Sequence, residues 1–348
     1  MSAEEKRFVA KHTEQLANEE GEAGTSDQNA VGDVSRRTFL RLGALASAAV
    51  SLVGPGARHA SAQSQGGRIE EATVAELQAA MAAGRLTSVA LTNFYINRIR
   101  TLDQNGPGVN SVIELNPDSL SIARDADAMR RRGIVLGPLH GIPILLKDNI
   151  DTGDSMQTTA GSFALAGQPA LHDSTVAAQL RAGGAVILGK TNLSEWANFR
   201  SFFSTSGWSG RGGLTHNPYS LDRNACGSSS GSAAAVSSNF AAVSIGTETD
   251  GSIVCPANVS GVVGIKPTVG LTSRAGVVPI SHTQDTVGPH GRTVADAAAV
   301  LNVIASRTPD PRDPATAGVP LGWQGTGRTR SVPGSGRVDR AQFLRAAG

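Results

Sequence analysis

Only two cysteines occur in the chain, Cys226 and Cys255, which excludes a disulfide-built scaffold and any zinc site that needs four thiolates. Aromatic side chains are scarce as well. Nine phenylalanines, three tryptophans and two tyrosines leave little material for a surface that stacks nucleic-acid bases. Neither sign of charge dominates: 31 basic residues face 29 acidic ones, a net charge of +2, so bulk charge does not hold a polyanion. The apolar run Leu42–Val53 falls well short of the roughly 20 residues that a membrane-spanning helix requires. Small residues are what the chain has in abundance. Forty-one glycines, with 40% hydrophobic and only 17% charged residues, predict a globular chain of helices packed closely on a sheet with several tight turns.

The N-terminus reads as an export signal. Residues 1–34 hold eight acids against Lys6, Arg7 and Lys11 with no hydrophobic period, the pattern of a solvated leader. Ser35-Arg36-Arg37-Thr38-Phe39-Leu40 then precedes the apolar run, which breaks at Gly54-Pro55 ahead of Ala60-Ser61-Ala62. Charged region, apolar region and A-x-A site in that order form a twin-arginine signal peptide, with cleavage expected after Ala62. Export by that route carries folded proteins, so the mature chain from Gln63 is expected to work in the periplasm or outside the cell.

Helical spacing over Ile69–Met81, Ser88–Leu102 and Asn116–Arg132 predicts three helices ahead of any strand. From Gly137 the texture changes to short apolar strands at 143–146, 185–188, 241–245 and 262–265. They alternate with helical stretches near 174–182, 232–239 and 294–304, which predicts an α/β sheet buried on both faces. No repeat or linker interrupts this region. After Arg307 the period is lost: residues 308–348 contain six arginines, seven glycines and five prolines, the composition of a disordered tail. The expected organisation is therefore leader and signal (1–62), one domain (63–307) and tail (308–348).

Three motifs invite chemistry. Gly184-Ala-Val-Ile-Leu-Gly189-Lys190-Thr191 satisfies the P-loop expression, but its four intervening residues are apolar and form a strand, where a phosphate cradle needs a loop. Gly227-Ser228-Ser229-Ser230-Gly231 matches the nucleophile elbow, with Ser229 as nucleophile and His282 or His290 available to complete a triad with Asp250 or Asp285. The preceding Leu221–Cys226 segment is polar, however, where an elbow requires a hydrophobic strand. The third candidate joins Lys147, at the end of Ile144-Leu-Leu146, with Ser228 and with Ser252 in Gly246-Thr-Glu-Thr-Asp-Gly-Ser252-Ile. A lysine at a buried strand end loses solvation, which lowers its pKa and makes it a base, and a second serine relays a proton between base and nucleophile. Backbone N–H groups of Thr249, Asp250, Gly251 and Ser252 form a candidate oxyanion hole. The same residues also fit a flexible serine–glycine linker and a solvated lysine, and spacing alone does not choose.

Longer motifs resolve this. The chain resembles the amidase signature family through Gly137-Pro-Leu-His-Gly-Ile-Pro-Ile-Leu-Leu-Lys147-Asp-Asn, Gly189-Lys-Thr-Asn192, Cys226-Gly-Ser-Ser-Ser-Gly-Ser-Ala-Ala-Ala-Val236, Gly246-Thr-Glu-Thr-Asp-Gly-Ser-Ile-Val-Cys-Pro256 and Gly264-Ile-Lys-Pro-Thr268. The likeness covers roughly Ile69 to Ile304. It implies the amidase-signature fold, a large mixed twisted β-sheet covered by helices on both faces. It implies a Ser–cis-Ser–Lys triad in which Lys147 is the general base, Ser228 the bridging cis-serine after a Gly227–Ser228 cis peptide, and Ser252 the nucleophile. Ser229 supports the site. The implied reaction is hydrolysis of a carboxamide through an acyl-enzyme, with no metal and no cofactor.

Many relatives carry an arginine two residues after the nucleophile, where this chain has Val254. That resembles exported peptide amidases more than the amidotransferase component that serves tRNA charging, so the partners expected are a small-molecule or peptide amide and the export machinery, with no nucleic acid and no membrane anchor. The loop Leu193–Ala225, with Trp196, Phe202, Phe203 and Trp208, is a candidate wall for the acyl group. The triad would bring Cys226 and Cys255 together, but folding before export in a reducing compartment favours free, buried thiols. The family continues well beyond the Asp285–Asp296 region, so the sheet is expected to be incomplete at the C-terminus, and the competing reading is an inactive amidase-like fragment with a binding or assembly role.

Overall fold

The computed structural model describes residues 69–318; the leader and signal peptide expected over 1–62 and the tail beyond 318 lie outside the described residues. Two helices open this region, α1 (Val74–Ala82) and α2 (Ser88–Arg98), the latter running on into a π-turn over Ile99–Asp103. Thr73 and Glu76 close a capping box at the start of α1. The Asp127 carboxylate caps α2 by accepting from the N–H groups of Ser88 (2.7 Å) and Val89 (3.1 Å).

A short strand, β1 (Val112–Leu115), then precedes α3 (Ser119–Arg131), so the expectation of three helices before any strand is corrected. Four residues, one buried and three half-buried, are too few to show a period of two. What places β1 is tertiary: the buried Asp103 carboxylate accepts from Ser111 N at 2.7 Å and Val112 N at 2.9 Å.

The sheet is built next. β2 (Pro143–Lys147) is followed by α4 (Thr175–Ala182), β3 (Val186–Thr191), the small hairpins β4 (Trp208–Ser209) with β5 (Gly213–Leu214) and β6 (His216–Asn217) with β7 (Ser220–Asn224), and α5 (Ser230–Ser237). β8 (Val243–Glu248), α6 (Val254–Val259), β9 (Val263–Gly264), β10 (Thr286–Gly291) and α7 (Val294–Ile304) complete it. Six strands form one mixed sheet in the order β1-β3-β2-β8-β10-β9. Parallel pairing joins β2 to β3 and β8, and antiparallel pairing adds the outer strands. Every residue of β2, β3, β8 and β10 is buried, so both faces are covered, as near-continuous apolar strands require.

Two elements differ from the sequence reading. The stretch after Ser252 is the helix α6, absent from the helices expected above, and Glu248 accepts from its first N–H groups across the turn. Thr-Val-Gly-Pro-His-Gly forms β10 although glycine and proline weaken a strand; Pro289 pairs with Ile245 on one side and accepts from Ile265 N on the other.

α5 is made of serine, glycine, alanine and valine, and it packs against β2, β3, β8 and β10. Its Gly231 has no room for a side chain: a Cβ would stand 2.2 Å from Ser111 O and 2.6 Å from Asn192 O. The folded chain also runs past 307. Asp313 takes a forked pair from Arg274 (2.6 and 2.9 Å) and Asp310 accepts from Ser273 at 2.7 Å, which fastens the segment up to Gly318 onto the domain. Among the described residues no helix is long and apolar enough to cross a membrane.

Candidate active site

Lys147 ends β2 with its side chain fully buried, a position forced by the apolar residues before it in a strand covered on both faces. Its Nζ lies 2.7 Å from Ser228 Oγ, 3.0 Å from Ser229 Oγ, 2.9 Å from Thr247 Oγ1 and 3.2 Å from Thr247 O. Burial pushes the amine down to about 7, against the opposing pull of the Glu248 and Asp285 carboxylates. Ser229 directs its own O–H to Thr247 O at 3.0 Å, so its Oγ accepts from Lys147. Lys147 Nζ donates to Ser228 Oγ as well as to Ser229 and Thr247; when the amine loses its third proton, its lone pair becomes an acceptor for one of these hydroxyls.

Ser228 follows a cis Gly227–Ser228 peptide bond, and both it and Ser229 are fully buried at the start of α5. Ser252 stands on the turn between β8 and α6, 7% exposed, and its Oγ makes no hydrogen bond among the described residues. The two turns are joined by Ser229 N donating to Ser252 O at 3.0 Å. Lys147, Ser228 and Ser229 are thus brought into direct contact, and Ser252 is set beside them on a turn with a free hydroxyl.

The oxyanion donors divide. Gly251, at φ +76° as a glycine favours, gives its N–H to Glu248 Oε1 at 3.0 Å. The N–H groups of Thr249, Asp250 and Ser252 meet no acceptor among the described residues and stay available to a developing oxyanion. Glu248 Oε2 accepts from Ile253 N (2.7 Å) and Val254 N (2.9 Å), so a single carboxylate holds the turn that carries Ser252, the expected nucleophile, on both sides of it. Thr249 Oγ1 donates to Asp285 Oδ1 at 2.6 Å, while Asp285 Oδ2 accepts from Ile280 N and Ser281 N.

Thr247 and Glu248 escaped the sequence reading. Both lie in the Gly246–Ser252 motif, and the signal available was their place at the last two positions of a strand whose partner carries the lysine. His290, weighed above as a triad histidine, is placed elsewhere: it bonds to the main chain and not to Ser229. Its fully buried ring sits 3.2 Å through Nε2 from Ile253 O, and burial pushes it down to about 4.

Cys226 and Cys255 form a disulfide with a Cα–Cα distance of 6.0 Å, which corrects the expectation of free thiols. The contact between the serine turn and the nucleophile turn places them within bonding range. The P-loop expression resolves as strand β3, in which Lys190 is buried and donates to Ile150 O at 2.7 Å and Thr158 Oγ1 at 3.0 Å. The elbow reading fails because Ser229 Oγ is engaged by Lys147 and Thr247 rather than by a histidine. In the proposed acyl wall, Phe202 and Phe203 are fully exposed, and Trp208 lies under Arg200 at 4.7 Å. A cavity of about 230 Å³ opens beside the end of β8, lined by Asn149, Thr247, Glu248, Thr249, Val278 and Asp285 among others. Thr247 therefore touches both Lys147 and the cavity. No group of three or more metal-ligating side chains occurs among the described residues.

The sequence profile of the Amidase family matches residues 90–327. A probable amidase of Arabidopsis thaliana is 53% identical over 250 residues, 71% of this chain and 48% of that protein. The crystal structure of a peptide amidase from Stenotrophomonas maltophilia superimposes with a TM-score of 0.70 at 60% identity, over 72% of this chain and 51% of that one. A glutamyl-tRNA(Gln) amidotransferase component of Symbiobacterium thermophilum is 43% identical over 248 residues, 71% of this chain and 49% of that protein. The chain spans about half the length of the relatives it matches.

Proposed function

The chain belongs to the amidase family, and from that premise we propose that it hydrolyses a carboxamide C–N bond through Lys147, Ser228 and Ser252. One observation carries the reading: a fully buried lysine amine 2.7 Å from a serine hydroxyl, with burial pushing the amine down to about 7. Ser252 Oγ attacks the amide carbon, its proton passes to Ser228, and the proton of Ser228 passes to Lys147. The N–H groups of Thr249, Asp250 and Ser252 receive the oxyanion. Lys147 returns the proton by the same path to the leaving nitrogen as the C–N bond breaks, and water then cleaves the Ser252 ester to release the acid.

Likeness to a peptide amidase at 60% identity, against 43% to an amidotransferase component, supports a peptide carboxamide as the substrate class. Arg36 and Arg37, with the apolar run and Ala62 behind them, support twin-arginine export to the periplasm or medium. The test is intact-mass detection of an adduct from a serine-directed fluorophosphonate on the purified chain. One adduct is expected, lost in Ser252→Ala and strongly slowed in Lys147→Ala. A folded chain that takes up no probe would leave only a binding or assembly role for an amidase-like fold that spans half its relatives' length.

A further inference from the structure

The Cys226–Cys255 disulfide joins the two turns that carry the proposed chemistry, since Cys226 lies two residues before Ser228 and Cys255 three after Ser252. The ring it closes, 29 residues in sequence separation, contains α5, β8 and the nucleophile turn, elements already fixed by the sheet. Besides restricting the unfolded chain, the bond ties the two turns to each other in the folded one. Cys226 sits where the exposed strand β7 enters the buried serine turn. Between the backbones of the serine turn and the nucleophile turn the hydrogen-bonded link is Ser229 N to Ser252 O. Ser228 itself is held by Lys147 Nζ and by Ser194 N, which donates to its carbonyl at 3.1 Å, and the covalent link adds a tie to the Ser252 turn just ahead of it, where the exposed hairpin enters. Both cysteines are partly exposed, so reductants and oxidants reach the bond.

We propose that the Cys226–Cys255 pair positions Ser228 against Ser252, and that oxidation of this pair sets the rate of the amidase; this rests on the catalytic reading above. A chain folded in a reducing compartment would carry two thiols and gain its full rate on meeting an oxidant, such as a small disulfide. The Cys226 thiolate attacks the reagent and releases one thiolate, and the Cys255 thiolate then attacks the mixed disulfide and releases the second. Two electrons pass from the cysteine pair to the reagent, and the two cysteine protons end on the released thiols.

The experiment follows phosphonylation of Ser252 by a fluorophosphonate, with loss of fluoride, in the full chain in three states: as isolated, after a phosphine reductant, and after reoxidation with glutathione disulfide. Near-UV circular dichroism checks the fold in each. The rate constant should fall on the order of ten- to a hundredfold on reduction, the cost of a small misplacement, and return on reoxidation while labelling still goes to completion. Cys226→Ser/Cys255→Ser should label at the reduced rate whatever the redox condition. Equal rates in the oxidised and reduced chains overturn the proposal while leaving the catalytic reading intact. A fall in the labelled fraction at unchanged rate marks partial unfolding and overturns it too. No adduct in any state removes the catalytic reading and this inference with it.

Discussion

Lys147 Nζ and Ser228 Oγ stand 2.7 Å apart at the buried end of β2, in a pocket of hydroxyls and one carbonyl with no carboxylate in direct contact. Carboxylates that would hold the lysine charged, Glu248 and Asp285, act only at longer range, and desolvation outweighs them. That balance brings the amine down to about 7, the range the proposed base needs.

Acylation of Ser252 should accordingly rise about tenfold per pH unit below about 7 and level off above it. A flat profile across that range would remove Lys147 as the base. Stability has a matching sign. The folded value lies below the ordinary 10.5, so between about 7 and 10.5 the unfolded chain binds a proton that the folded chain does not, and stability rises with pH. Thermal melting of the wild type should therefore gain on that of Lys147→Ala across this window, and the two curves should run parallel below it.

Among the described residues, Thr247 bonds to the lysine and also lines the adjoining cavity. Its Oγ1 is 2.9 Å from Lys147 Nζ and accepts from Asn149 Nδ2 at 3.0 Å. Thr247→Val keeps the shape and removes that oxygen, and should slow acylation about tenfold. Loss of an acceptor for the protonated amine also moves the pH midpoint down, below that of the wild type. Thr247→Ser should restore both rate and midpoint, and a Val variant with an unmoved midpoint would place Thr247 outside the site.

The sequence made the centre of this molecule legible and its edges obscure. Ile144-Leu-Leu146 before Lys147 marks a buried strand because an apolar run can be nothing else in a sheet covered on both faces, and the long motifs located Ser228 and Ser252. β1 and β10 were not legible: one is four residues long and held by Asp103, the other contains glycine, proline and histidine and is held by pairing with β8 and β9. The motifs brought Cys226 and Cys255 together, and the disulfide was missed because the reducing compartment of folding was given more weight than that contact. Glu248 was missed because a polar residue at a strand end looks like any solvated terminus until the turn folds back over it.

The segment from 308 to 318 shows the same blindness to long-range pairs. Proline, glycine and arginine gave it the composition of a tail, yet Asp313 is buried and locked by Arg274, itself bonded to His282 O. Asp313→Ala leaves a half-buried guanidinium without its carboxylate, and should destabilise the domain by about 1–3 kcal/mol. Limited proteolysis should then cut between 307 and 318 much faster than in the wild type. Unchanged melting and cleavage would return the boundary to 307.

Glu248 is the sharpest test of how the nucleophile turn is built. Its two oxygens accept from Gly251, Ile253 and Val254, all by main-chain N–H. Glu248→Gln preserves size but supplies one acceptor oxygen, and turns an amide N–H₂ toward backbone donors on whichever side it faces. At least one buried N–H is left unmet, a loss of about 1–3 kcal/mol that thermal denaturation will read. The substitution also deletes the nearby negative charge that holds Lys147 up, so the pH midpoint of acylation should fall below about 7. The two effects separate the roles of the carboxylate. A lower melting temperature with an unmoved midpoint would make Glu248 a brace alone, whereas a lowered midpoint shows that the group bracing the nucleophile turn also tunes the base.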